Sequence, residues 1–396
     1  MHPLLLAADR KKPELCTHRL GQLLPEAVVH ICCCYSGPLR SRSPAPTAVD
    51  RSCKRRHSHP LPLAADHKSR SSMSSLNASL SQNISIIHPE YFFILGLSGI
   101  PDSNYYYIFL FMIYFITVIG NSLVLFIIAL DRNLHSPKYI GVFNLALADI
   151  GETNALIPNM MKTLLFDSRY ISYNACLVNM FFVFLFSSMQ SLTLVVLAYD
   201  RLIAICLPLR YHVIVNKSNM CFVLSAIWVF NSVIVASMVS LITQISFCKS
   251  NVILSYFCDH GPVYRLACND NYINKIMGFL YTTLYLIAPM LVIGLSYLGI
   301  FFVVRKIRTW EGRIKALKTC VSHLLLVAIY FLPIFFTYLT SLLLYSTPNS
   351  RVISTSLAYA VPAMLNPIIY VLNTAEIKDI IKKAIRNRSK IDRTSK

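Results

Sequence analysis

The chain has 396 residues, of which 55% are hydrophobic and only 14% charged, a balance that argues against a water-soluble enzyme or binding domain. Its formal net charge of +19 would fit a nucleic-acid binder, but from residue 73 on the basic residues fall beside predicted membrane spans instead.

Residues 1–72 come first and share little with the rest of the chain. They carry 12 Lys or Arg against 5 Asp or Glu, many Ser and Pro, and the triplet Cys32–Cys34. No apolar core of roughly 7–15 residues comes after a basic start, so the segment does not read as a cleavable signal. Its composition is that of a disordered leader, and the native chain is expected to start at Met73, with residues 1–72 a gene-model extension. Residues 73–106 read as a short extracellular tail in which Asn77 and Asn83 open Asn-x-Ser/Thr glycosylation triplets.

Seven apolar runs come next, at 108–130, 139–161, 175–199, 220–243, 276–304, 319–345 and 352–372. Each reaches the roughly 20 residues that cross a bilayer. Lipid offers the backbone no water, so each run is predicted to be a helix. The fold class is an all-α membrane protein, a seven-transmembrane helix bundle over residues 107–373. The second run holds Asp149 and Glu152, and the sixth holds His323. Segments 131–138, 200–219, 305–318 and 373–396 contain 19 Lys or Arg, against 6 on the opposite side from residue 73 onward. The richer side is cytoplasmic, with the amino terminus outside and the carboxyl terminus inside. Within the final segment, 374–396, the stretch 376–385 sets Ile377, Ile380, Ile381 and Ala384 on one stripe and Lys on the other. It is predicted to be an amphipathic helix lying on the inner leaflet. Membrane lipids are thus partners, and nucleic acid is not.

The 12 cysteines divide by compartment. Five lie in the leader, and Cys206, Cys221 and Cys320 sit near cytoplasmic helix ends, where thiols stay reduced. Cys176, Cys248, Cys258 and Cys268 face outside, an even number that permits two bridges in any of three connectivities. No nucleophile–base pairing, H-E-x-x-H or Gly-rich phosphate loop marks an enzyme. Inverted repeats and broken helix pairs, the signature of a transporter, are also missing from the sequence.

Several short strings then occur in order. They are "GN" at Gly120–Asn121, "LHSPKY" at 134–139, "LALAD" at 145–149, "AYDRLIAICLPLRY" at 198–211, "SY" at Ser296–Tyr297, "KALKTCVSHLLLV" at 315–327 and "PAMLNPIIYVLNTAEIK" at 362–378. Together they resemble the olfactory receptors of the rhodopsin-like G-protein-coupled family, over about residues 85–388. The loop cysteines and "FCDH" around Cys258 are similar to the class of odorant receptors shared by fish and mammals. The resemblance implies a small-molecule odorant and a heterotrimeric G protein of the olfactory stimulatory type, which raises cAMP, as partners. It also implies a multi-pass protein of the plasma membrane, in the cilia of olfactory sensory neurons. The alternative it leaves is a receptor of the same architecture for a non-odorant metabolite or peptide elsewhere.

Residue roles come from that likeness. On an arbitrary membrane helix, Asp200–Arg201 would be an interfacial anchor; the resemblance makes it a switch, with the arginine held by its neighbour at rest and freed to meet a Gα subunit. Leu202 stands where such receptors usually carry Tyr. Tyr297, His323, Asn366, Pro367 and Tyr370 join the same switch, and Lys315, Lys318, Thr319 and Ser322 begin a polar seam on the sixth helix. Asp149, Glu152 and Gln190 are candidates for a sodium site, the acids lying one turn apart and Gln190 offering an amide oxygen where odorant receptors carry Glu. No other cofactor is expected. The implied pairing is Cys176–Cys258 and Cys248–Cys268. The ligand is expected between the third, fifth, sixth and seventh helices, under the second extracellular loop. Its candidate liners are Val183, Phe184, Ser187, Ser188, Tyr281, Tyr285, Tyr330, Ile334, Thr337, Ser356 and Tyr359, with His260 from the loop. Such a lining suits a small, partly apolar odorant. Carboxylate odorants are disfavoured because the upper sixth helix has no Lys or Arg.

Overall fold

Seven helices are long and apolar enough to cross a membrane: α1 Ser103–Leu130, α2 Pro137–Phe166, α3 Tyr173–Cys206, α4 Lys217–Ile242, α5 Tyr272–Lys306, α6 Trp310–Leu343 and α7 Pro348–Asn373. They come from a computed structural model that describes residues 86–97, 103–166, 168–343, 347–373, 376–380 and 382–383. Residues 1–72, Asn77 and Asn83 lie outside that set, as do Ile381 and Ala384 of the predicted amphipathic stretch. Residues 376–380 are helical, with Ile377 buried and Ile380 packed beside it. Several helices outrun the apolar runs, because hydropathy marks only the lipid-embedded part. Helix α3 continues through Asp200–Arg201 to Cys206, and α6 starts at Trp310 in a charged stretch. Ser172 caps α3 and Asn216 caps α4, each accepting from an amide three residues on.

The segment read as a short extracellular tail contains a strand. Strand β1, Tyr91–Ile94, lies between β2, Tyr170–Ser172, and β3, Val252–Ile253, antiparallel to the first and parallel to the second. Phe92 is fully buried and meets the rings of Tyr173 and Phe247. Alternate apolar side chains of "YFFI" pin the strand over the bundle, a signal masked in the sequence by the much longer helical runs.

Two apolar cores stack within the bundle. The extracellular one includes Ile113, Leu156, Leu185, Val352 and the loop residues Tyr256 and Phe257. The cytoplasmic one includes Val124, Leu145, Leu194 and Ile369. Between them α1, α2, α3 and α7 contribute buried polar groups: Thr117 and Asn121, Asp149 and Glu152, Ser187, Ser188, Gln190 and Ser191, and Asn366. This is a polar waist, where unpaired groups are costly and hydrogen bonds fix register.

Prolines shape that waist. Pro367 has no amide to offer the carbonyl of Ala363, and Asn121 Nδ2 supplies the bond from α1 at 2.9 Å. The helices touch there: a Cβ on Gly120 would lie 2.9 Å from Pro367 Cγ, so "GN" joins a close approach to a donor. Pro289 likewise frees the carbonyl of Tyr285, and Ser191 Oγ of α3 donates to it at 2.7 Å. A π-turn, Thr283–Ile287, marks the place on α5.

Candidate functional site

A cleft opens between α3, α5, α6 and α7. It is lined by Ser187, Tyr281, Thr282, Tyr285, Leu286, Tyr330, Ile334, Tyr338 and Tyr359. Six of these are expected from the sequence; Thr282, Leu286 and Tyr338 are not. The π-turn explains two of the three, since its extra residue rotates neighbours of Tyr281 and Tyr285 into the cavity. Tyr338 continues Tyr330 and Ile334 at intervals of four, a stripe on which the sequence points to Thr337 instead. The cleft has about 30 Å³ of room for the centres of water molecules, enough for roughly two waters. Tyr330 donates to the carbonyl of Ser187 at 2.7 Å, and Tyr281 donates to that of Phe184 at 2.8 Å, so α6 and α5 are tied to α3.

Other expected liners face elsewhere. Ser188 accepts from Asn231 of α4 at 2.9 Å, and Ser356 meets the Tyr106 hydroxyl of α1 at 2.6 Å. Both hydroxyls are spent on helix contacts, so neither lines the cleft. Val183 belongs to the extracellular apolar core, and Phe184 sits one layer back, its ring edge-on to Tyr281. Thr337 does not line the cleft either.

The lid is the loop between α4 and α5. Cys176 at the top of α3 is bonded to Cys258, and Cys248 to Cys268. Asn179 fixes the loop further, accepting from the amide of Cys258 at 3.2 Å while donating to the carbonyl of Ala155 at 2.6 Å. Asp259 pairs with Arg351 at the start of α7 at 2.7 Å, a bridge hidden from sequence reasoning because its partners are 92 residues apart. His260 opens a short helix, His260–Tyr264, and is buried with Nε2 lacking a partner. Burial holds its imidazole below the ordinary 6.5, with Asp259 and Asn274 opposing. His260 therefore belongs to the seating of the lid and does not line the cleft.

In the waist, Asp149 and Glu152 are both buried but address different helices. Asn366 of α7 donates to Asp149 Oδ2 at 2.9 Å, and Gln190 of α3 donates to Glu152 Oε2 at 2.8 Å. Asp149 Oδ1, Glu152 Oε1 and Asn121 Oδ1 have no partner. Gln190 therefore turns its amide nitrogen to the acid and orients it, in place of the oxygen ligand expected from sequence. Among the described residues no group of three His, Cys, Asp or Glu is placed to hold a metal. Orphaned hard oxygens suit a hard monovalent cation and not a transition metal.

At the cytoplasmic end, Arg201 pairs with Asp200 at 2.7 Å. Asp200 is fully buried and also accepts from Tyr211 at 2.8 Å. Tyr211, in the short helix Tyr211–Ile214, closes the "AYDRLIAICLPLRY" string, which by itself assigns the tyrosine no role. Burial and the Asp200 carboxylate push its hydroxyl well above the tyrosine range, so it stays a donor. Tyr297 of α5 meets His323 Nδ1 at 2.8 Å, and His323 Nε2 lies 3.1 Å from the carbonyl of Leu194, so one ring joins α5, α6 and α3. Leu202 packs beside Gly299, Ile300 and Val304 of α5, filling with methyl groups the place of a hydroxyl. Tyr370 is buried, and its hydroxyl has no partner. The side chains of Lys315 and Thr319 lie outside the described residues.

Known proteins match this arrangement. The family model described as olfactory receptor matches residues 110–388. Olfactory receptor 5B12 of Homo sapiens is 37% identical over 304 residues, covering 74% of this chain and 94% of that protein. Olfactory receptor 1500 of Rattus norvegicus is 36% identical over 300 residues, covering 74% and 94%. Olfactory receptor 1N1 of Homo sapiens is 34% identical over 300 residues, covering 75% and 96%. Among solved structures, squid rhodopsin superposes with a TM-score of 0.61 at 17% identity, covering 77% of this chain and 91% of that one, a likeness of fold alone.

Proposed function

The chain belongs to the olfactory receptor family of seven-helix G-protein-coupled receptors, and on that premise we propose that it binds a small, partly apolar odorant in the tyrosine-lined cleft and activates a stimulatory G protein that raises cAMP. It is a signalling receptor and not an enzyme. The observation that carries the reading is the physical link between cleft and switch. Ser187, Ser191 and Leu194 of α3 bond in turn to Tyr330, to the α5 carbonyl of Tyr285 and to His323, and the same helix ends in Asp200–Arg201. A ligand that parts the tyrosines shifts α5 and α6 against α3, and the ion pair at the far end is the bistable element it biases.

A sodium ion between Asp149 and Glu152 would offset their charge and favour the resting packing of α2, α3 and α7. Asn366 and Gln190 would hold the two carboxyls in place for it. The cellular destination proposed is the sensory cilium.

The test is a cAMP reporter in cells expressing the full chain, with surface receptor quantified, against a chemically diverse odorant panel. A concentration-dependent rise for at least one small odorant is expected, and Arg201→Ala should abolish it at equal surface density. A normal response from that variant would sink the switch assignment.

A further inference from the structure

The cleft has a one-sided chemistry. Its wall carries Tyr281, Tyr285, Tyr330, Tyr338 and Tyr359 and no Lys, Arg or His. Tyr281 and Tyr285 have ring centroids 4.6 Å apart at an interplanar angle of 50°, so two faces form a corner. Aromatic faces attract cations, and cages of such rings hold alkylammonium groups. Tyrosines also supply hydroxyl acceptors; that of Tyr285 is buried without a partner.

An acid stands directly behind this wall. Glu152 is 1% exposed, and its Oε1 has no hydrogen-bond partner. Ser187 bridges the two environments: it lines the cleft, its Oγ lies 3.4 Å from the Tyr330 hydroxyl, and it stands one turn of α3 before Gln190, which holds the Glu152 carboxyl at 2.8 Å. A buried carboxylate left without a cation costs several kcal/mol, and a cation that arrives with its own charge removes the cost. Asp149 adds a second buried acid one turn away on α2, so carboxylate ligands meet repulsion.

We infer that the cleft is selective for small protonated amines, the alkyl body held among the tyrosine rings and the ammonium directed past Ser187 towards Glu152. This narrows the ligand class of the proposed odorant site and rests on that reading of the cleft. The limited room favours a compact ammonium head, with the rings moving apart for the alkyl body.

Sodium shares the monovalent charge, so the experiment separates the two. In the cAMP assay, cyclohexylamine and 3-methylbutylamine are compared with cyclohexanol and 3-methylbutanol, which match them in size. The amines are expected to be roughly tenfold more potent than the alcohols, and Glu152→Gln should collapse that ratio towards one. In parallel, purified wild-type receptor is melted with cyclohexylamine or cyclohexanol, in sodium chloride and in N-methylglucamine chloride. Stabilisation by the amine in both salts, and little by the alcohol, supports the proposal without any variant having to fold. Alcohols as potent as amines, or an unchanged ratio in Glu152→Gln, overturn the ligand class while leaving the odorant reading standing. Stabilisation by sodium alone, with nothing added by the amine, assigns the acid to the inorganic ion and overturns it too. Silence to all four compounds in cells, with no thermal shift, overturns the amine class, and silence to the diverse odorant panel as well overturns both readings.

Discussion

Asp200 is a tightly held charge: fully buried, it has one ionic partner in Arg201 and one neutral donor in Tyr211. If Arg201 leaves to meet a G protein, as proposed, Tyr211 is placed to leave the carboxylate with a hydrogen bond, and the opening then costs less. The acids of the waist differ in kind. Asp149 and Glu152 are each tied to one amide and each keeps one free oxygen, with no cationic side chain bonded to either carboxyl among the described residues. Two carboxyls this close in low dielectric do not both ionise without a cation. Asp149→Asn should therefore remove the sodium dependence of agonist potency, and Glu152→Gln should weaken it. Dose–response curves in sodium and in a bulky-cation buffer check this, and equal sodium sensitivity in wild type and Glu152→Gln would refute the paired site. Charge made these residues legible in the sequence, because an ionisable group inside an apolar run stands out. Tyr211 was not legible, since a tyrosine in a polar loop announces nothing until its carboxylate partner is located.

At the scale of elements, two prolines matter through the carbonyls they release. Ser191 and Asn121 donate across helices to Tyr285 and Ala363. Ser191→Ala leaves a buried carbonyl unsatisfied beside the cleft and should cost on the order of 1 kcal/mol, read as a lower melting temperature of the purified receptor. A melting temperature equal to wild type would show that water or a helix shift repairs the π-turn. The apolar runs announced all seven helices, but the π-turn and strand β1 were hidden, one by a local change of helical pitch and the other by its distant partners. The lid titrates. Burial depresses the imidazole of His260, whose surroundings are Asp259, Arg351, Tyr264 and Asn274. A group depressed in the folded state contributes stability above its unfolded value near 6.5, and that stability is lost as pH falls through the lower folded value. Acidification below about 6.5 should thus loosen the lid in wild type and much less in His260→Gln, as seen in melting curves across that window. Parallel curves for the two proteins would exclude His260 as the titrating group.

The described bundle sets two large apolar cores on either side of a polar waist, with one end covalently lidded. The two disulfides close loops of very different length, 82 residues for Cys176–Cys258 and 20 for Cys248–Cys268. Chain entropy alone would assign them about 4.5 and about 3.3 kcal/mol. That ranking fails in a membrane, because the longer loop contains α4, which the bilayer holds as a helix even when packing is lost. Lipid has already removed much of the freedom that the bond would remove. The shorter loop lies wholly outside the bilayer and keeps its full chain entropy. Replacing Cys248 and Cys268 together by Ser should therefore lower thermal stability at least as much as replacing Cys176 and Cys258. Function should rank the opposite way. Cys176–Cys258 holds Tyr256 and Phe257 over the bundle, so its loss should raise agonist concentrations for half response far more than loss of the outer bond. Melting temperature and dose–response measured on both double variants at matched surface density test the two rankings together. If the Cys176–Cys258 variant is the less stable one, the bilayer does not restrain the open chain, and the bond acts as an ordinary cross-link.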